Sequence, residues 1–124
     1  MKATRKQPER ALHTAVAELL DYGLPSDAAW FPVPNGAHMK SPRHAAMMKR
    51  SGQLKAGVPD IGIIWAKRAL FIELKAGRND TTDAQVEFGQ RLTLAGAVVC
   101  TCRSLDEVRN FLATVGVPMR ARVA

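Results

Sequence analysis

A chain of 124 residues with 47% hydrophobic content has the material for one core and not for two, which points to a single domain over 1–124. No stretch is long and apolar enough to span a membrane or to act as a signal peptide, so a soluble cytoplasmic domain with no membrane partner is expected. Eighteen basic residues against 11 acidic ones leave a formal net charge of +7, which suits an acidic polymer such as nucleic acid, although a merely soluble basic protein has the same composition.

Part of the basic excess sits in Lys2, Arg5 and Lys6 and in Arg120 and Arg122, and 1–6 and 119–124 read as flexible ends. The first helix is predicted from about Gln7 to Tyr22, with Pro8 in its first turn and Gly23 and Pro25 at its stop. Leu12, Ala15, Val16, Leu19 and Leu20 form its apolar stripe. Glu9 flanks that stripe whereas Glu18 turns to solvent, so Glu9 can reach a sheet edge; complementing the helix dipole is its competing role. Trp30, Phe31 and Val33, among Pro25, Pro32 and Pro34, suit a short edge strand. After the Asn35-Gly36 turn the chain becomes polar and basic. Ser41-Pro42 reads as the cap and first turn of a helix to about Arg50, closed by Gly52. His38 and His44 lack the spacing of metal ligands.

Gly57 to Lys75, GVPDIGIIWAKRALFIELK, holds two apolar runs, Ile61 to Trp65 and Ala69 to Leu74, joined through the basic pair Lys67-Arg68. This is a β-hairpin pattern, and into it are set Asp60, Glu73 and Lys75. Unpaired buried charge is costly, so these three call for a reason. Side chains alternate faces along a strand, so a loop of even length, such as Lys67-Arg68, places all three on one face, whereas an odd loop separates Asp60 from the others. The even register is the expectation. Two carboxylates on one face repel unless a cation lies between them, and hard oxygen ligands suit Mg²⁺ or Mn²⁺. Lys75 adds a positive charge beside such an ion, the combination that phosphodiester hydrolysis needs.

Ala76 to Asp80 form a polar loop, and a helix follows from about Asp83 to Leu94 or Ala95 with Ala84, Phe88 and Leu92 as its stripe. Gln85 lies beside that stripe, angled toward the sheet, yet Thr82-Asp83-Ala84-Gln85 also fits a capping box. Ala97 to Thr101 should form a strand parallel to that of Glu73, since a helical crossover separates them. Cys100 and Cys102 fall on one face of one strand and are poorly placed to pair, so they read as reduced core thiols. Ser104 to Glu107 is a second capping box, opening a helix to about Thr114 that buries Leu105, Val108, Phe111, Leu112 and Val115.

The spacing Pro59-Asp60 to Glu73-Leu74-Lys75 resembles the PD-(D/E)XK nuclease superfamily. With Gly57-Val58-Pro59-Asp60 ahead of it and a helical Gln85 behind, most of the chain is similar to the virus-type replication-repair nuclease (VRR-NUC) domain. The resemblance implies an α/β restriction-endonuclease-like core, a central mixed β-sheet flanked by helices in the order α-β-β-β-α-β-α. It implies metal-dependent DNA hydrolysis, with Asp60, Glu73 and the Leu74 main-chain carbonyl holding Mg²⁺ or Mn²⁺. Glu9 would complete the metal shell, Lys75 would orient the attacking water, and Gln85 would hydrogen-bond near the ion. It also implies branched DNA, including four-way junctions, as substrate and a homodimer as the acting form. Lys40, Arg43, Lys49, Arg50, Lys55 and Arg78 are the expected phosphate contacts, with Arg91 behind them. A catalytically silent DNA-binding module and an interaction subunit, whose carboxylates merely pair with Lys75 and Arg78, are the rival readings.

Overall fold

A computed structural model describes residues 6–34 and 41–120. Helix α1 spans Lys6–Gly23, strand β1 Ala29–Pro32, helix α2 Pro42–Arg50, and strands β2 and β3 span Ile61–Trp65 and Arg68–Leu74. Helix α3 runs over Asp83–Leu94, β4 over Val98–Cys102 and α4 over Leu105–Thr114. The four strands form one sheet in the order β1-β2-β3-β4, antiparallel in the first two pairs and parallel between β3 and β4. This is the expected mixed α/β core of the restriction-endonuclease-like type, with α2 interposed between β1 and β2.

The hairpin turn is Ala66-Lys67, not the expected Lys67-Arg68: both turn residues have positive φ, 51° and 63°, and Arg68 already pairs with Trp65. Positive φ at both central positions is the I′ geometry whose twist matches that of the flanking strands. The loop slid by one residue but kept two residues, so the parity survives. Ile61 faces Ile72, and one step further Asp60 stands opposite Glu73 on the same side of the sheet.

The other side of the sheet carries the core. Ile61 and Ile63 of β2 and Leu70, Ile72 and Leu74 of β3 pack against Val16, Leu19 and Leu20 of α1 and Val108, Phe111 and Leu112 of α4. The three β3 side chains alone contribute roughly 5 to 9 kcal/mol before chain entropy is counted. Cys102 closes the core at the end of β4, its thiol pushed up to about 12 chiefly by burial, then by neighbouring Cys100. Both cysteines are free thiols.

Helix α3 departs from expectation. It buries no residue completely: Ala84 is exposed, Phe88 and Leu92 are half-buried, and Leu94 is 89% exposed. It lies over the β4 edge, where a Cβ on Gly89 would stand 3.9 Å from Val99 Cγ1, and its first turn is approached closely by main chain. That approach involves Gly57, at φ +84°, where an added Cβ would fall 2.2 Å from the carbonyl oxygen of Ala84. Glycine in the Gly57-Val58-Pro59-Asp60 segment is therefore required twice, by its dihedral and by the first turn of α3 pressed onto it.

Candidate active site

Asp60 is fixed through both its main chain and its side chain. Its carbonyl accepts from the Val33 N–H at 2.8 Å, and its Oδ2 accepts from the Leu74 N–H at 2.8 Å. The second bond stitches the approach to β2 onto the end of β3 and leaves the carboxyl beside Glu73, near enough for the two to share a hydrogen bond. Lys75 extends the β3–β4 ladder by donating its N–H to the Cys102 carbonyl at 3.0 Å. Its Nζ lies 3.8 Å from Glu73 Oε1. Glu73 and Lys75 are only 5% and 9% exposed, and they are the buried charged residues among those described.

Gln85 makes both the capping-box bonds and a bond to Glu73. Its Oε1 accepts from the Thr82 N–H at 2.9 Å while its own N–H donates to Thr82 Oγ1 at 3.2 Å, completing the capping box. Its Nε2 donates to Glu73 Oε1 at 2.9 Å. A glutamine can do this because its amide has an acceptor end and a donor end. Glu9, on the first turn of α1, lines the same cleft and accepts from Asn79 Nδ2 at 2.9 Å through Oε1.

Glu73 has its ordinary carboxyl value pushed up to about 8, first by burial, then by the charge of Asp60 and the hydrogen bond to it; Lys75 pulls it down and Glu9 adds a smaller push upward. Its Oε2 is buried and receives no hydrogen bond from the described residues. Buried carboxylate oxygens are seldom left this way. Here two acidic groups face one another, and only a shared proton or a cation satisfies both. Among the described residues no three acidic, histidine or cysteine side chains close into a ready-made metal cage. A pair of carboxylates is nonetheless the usual protein share of an Mg²⁺ site, the rest being water and substrate oxygens. The donor set therefore fits a hard divalent cation.

These residues open onto a cleft of about 690 Å³ bounded by α1, the Pro32 to Pro34 segment, the Gly57 to Asp60 loop and the start of α3. Two of its wall residues, Arg10 and His13, were missed in the sequence. The available signal was their place one and four residues after Glu9, the latter on the same helix face. The expected phosphate contacts among the described residues do not line the cleft. Arg43, Lys49 and Arg50 are exposed on α2, Arg78 and Arg91 are exposed, and Lys55 sits 5.7 Å above the Phe88 ring. Lys40 lies outside the described residues.

A mixed four-stranded sheet with an aspartate ahead of one strand and a Glu-x-Lys on its neighbour, all opening to one cleft, defines a nuclease-family domain of the restriction-endonuclease-like type. No family model and no curated protein matches the chain. A solved structure described as a VRR_NUC domain protein matches over 92% of this chain and 89% of its own, at 27% identity and a TM-score of 0.63. The match supports a VRR-NUC domain. Among the described residues no helix is long and apolar enough to cross a membrane.

Proposed function

We propose that the chain is an Mg²⁺- or Mn²⁺-dependent deoxyribonuclease that hydrolyses phosphodiester bonds in branched DNA such as four-way junctions, and that it acts as a homodimer. The observation that carries this reading is buried Glu73, its carboxyl beside that of Asp60 in a cleft that also holds Lys75. Asp60, Glu73, the Leu74 carbonyl and Glu9 are the groups that would hold the ion. When bound, such an ion acidifies water and neutralises charge developing on the phosphate.

The remaining steps fall to the chain's own side chains. Lys75 carries three N–H donors on a stem confined by burial, so it orients the attacking water and offsets negative charge on the phosphoryl oxygens in the transition state. Gln85 holds Glu73 by Oε1, which fixes the direction of Oε2. Arg10 and His13 on the cleft wall take the phosphates nearest the scissile bond. Arg43, Lys49, Arg50, Lys55 and Arg78 take phosphates farther out, where their role is affinity and its salt dependence, and Lys40 is a further phosphate contact. The preference for branched DNA and the dimer rest on the resemblance of the motifs and on size: a domain of 124 residues has little surface to grip a junction alone, which favours a symmetric pair.

The test is a panel of linear, flapped and four-way DNA incubated with Mg²⁺, Mn²⁺ or EDTA, using the wild type and Lys75→Ala. Cleavage that needs the metal, favours the branched substrates and disappears in Lys75→Ala while binding persists is the expected result. Binding without cleavage by the wild type in either metal replaces the enzyme reading by a silent DNA-binding module.

A further inference from the structure

Arg103 stands outside the cleft, between the end of β4 and Ser104, the N-cap of α4. Its main-chain N–H donates to Glu107 Oε2 at 3.1 Å, which ties its backbone to the first turn of that helix. Its guanidinium crosses to the loop after β3, where Nη1 donates to the carbonyls of Gly77 at 3.1 Å and Asn79 at 2.6 Å. The ion pair with Asp80, at 3.8 Å to a carboxylate 96% exposed, adds little. Within the loop itself the tie is weak, an Asn79 N–H to Ala76 carbonyl contact of 3.4 Å. The conformation of Asn79 is therefore set from Arg103, and Asn79 is the residue whose Nδ2 holds Glu9 Oε1.

We infer that Arg103 and Asn79 are positioning residues for the metal centre: the guanidinium fixes the loop, the loop aims the Asn79 amide, and the amide holds Glu9 by one oxygen so that the other serves the ion. This inference rests on the metal-centre reading given above. Glu9 sits on the first turn of α1, where helices fray and a free glutamate samples many rotamers. An amide on one carboxylate oxygen restricts both the rotamer and the rotation of the group. Outer partners of this kind orient metal ligands generally. Both carbonyls are met by one nitrogen, Nη1, whose two N–H groups are fixed in direction by the guanidinium plane, whereas the lysine ammonium is a rotating point charge on a flexible stem.

The experiment is calorimetric titration of Mn²⁺ into the wild type, Asn79→Ala, Arg103→Lys, Glu9→Ala and the double variant Arg103→Lys/Glu9→Ala, with melting curves in EDTA to confirm folding. Asn79→Ala should weaken Mn²⁺ binding by about ten-fold. Arg103→Lys should weaken it in the same direction by a smaller factor, and the double variant should match Glu9→Ala, because the effect of Arg103 passes through Glu9. Unchanged affinity in Asn79→Ala and Arg103→Lys overturns the inference and leaves the metal centre standing. So does an equal loss from Arg103→Lys with and without Glu9, the mark of a purely structural tie. No Mn²⁺ binding by the wild type removes the metal centre, and this inference with it.

Discussion

Gln85 serves α3 and Glu73 with one side chain, and two alanine substitutions separate the services. Thr82→Ala deletes the hydroxyl that accepts from the Gln85 N–H but leaves the Gln85 side chain and its 2.9 Å bond to Glu73 in place. Loss of an N-cap threonine costs about 1 kcal/mol. Gln85→Ala frees the Thr82 N–H, which is exposed and rehydrates for about 0.5 to 1 kcal/mol. It also strips a donor from Glu73 Oε1, whose companion Oε2 already receives none, and an unmet buried acceptor adds about 1 to 3 kcal/mol. Gln85→Ala should therefore destabilise by roughly 2 to 3 kcal/mol and Thr82→Ala by about half as much. The rates should diverge further: near wild type for Thr82→Ala, and lower by about 10- to 100-fold for Gln85→Ala, because its loss disorients Glu73, the carboxylate proposed to hold the metal. Urea denaturation in EDTA gives the first pair of numbers, and initial cleavage rates under conditions where both variants are folded give the second. Equal rates for the two variants would refute the reasoning and reduce Gln85 to a helix cap.

In EDTA, stability should fall as pH rises from about 4.5 to about 8, because folded Glu73 keeps its proton across that window and the unfolded chain does not. The contribution is fully present below the lower value and lost above the upper one, on the order of 3 to 5 kcal/mol in all. Urea midpoints measured across pH test this, and Glu73→Gln should flatten the dependence. Gly57→Ala places a Cβ 2.2 Å from the Ala84 carbonyl at a φ of +84°, and the strain should cost at least about 2 kcal/mol while displacing the turn that carries Gln85. Denaturation and cleavage rate should fall together in that variant, and a wild-type rate would contradict the placement.

How much of this was legible in the sequence follows from the range of the interactions. Asp60, Glu73 and Lys75 stood out because charge inside apolar runs is expensive, and the parity of a two-residue turn put the carboxylates on one face. The turn itself was misplaced by one residue because Ala66-Lys67 lacks the Gly or Asn that usually marks positive φ. The expected α3 stripe of Ala84, Phe88 and Leu92 is half-buried at Phe88 and Leu92 and exposed at Ala84, and periodicity cannot report that the first turn of the helix comes against the main chain at Gly57. The wheel angle of Glu9 pointed toward the sheet edge, and Glu9 lines the cleft, but its partner Asn79 lies 70 residues away and no local pattern announces it. The same holds for Arg103, whose contacts with carbonyls leave no trace in residue type. The Gln85 alternatives looked exclusive only because a sequence motif assigns one role to a side chain that has two functional ends.

The proposal that buried Glu73 and half-buried Asp60 share one divalent ion can be tested by titrating Mn²⁺ into the wild type and Glu73→Gln near pH 7 while counting the protons released. Saturable binding with about one proton expelled per ion, supplied by a Glu73 that titrates near 8, and a large loss of affinity in Glu73→Gln are the predicted result. Absent binding, or an affinity the same in both proteins, would contradict it.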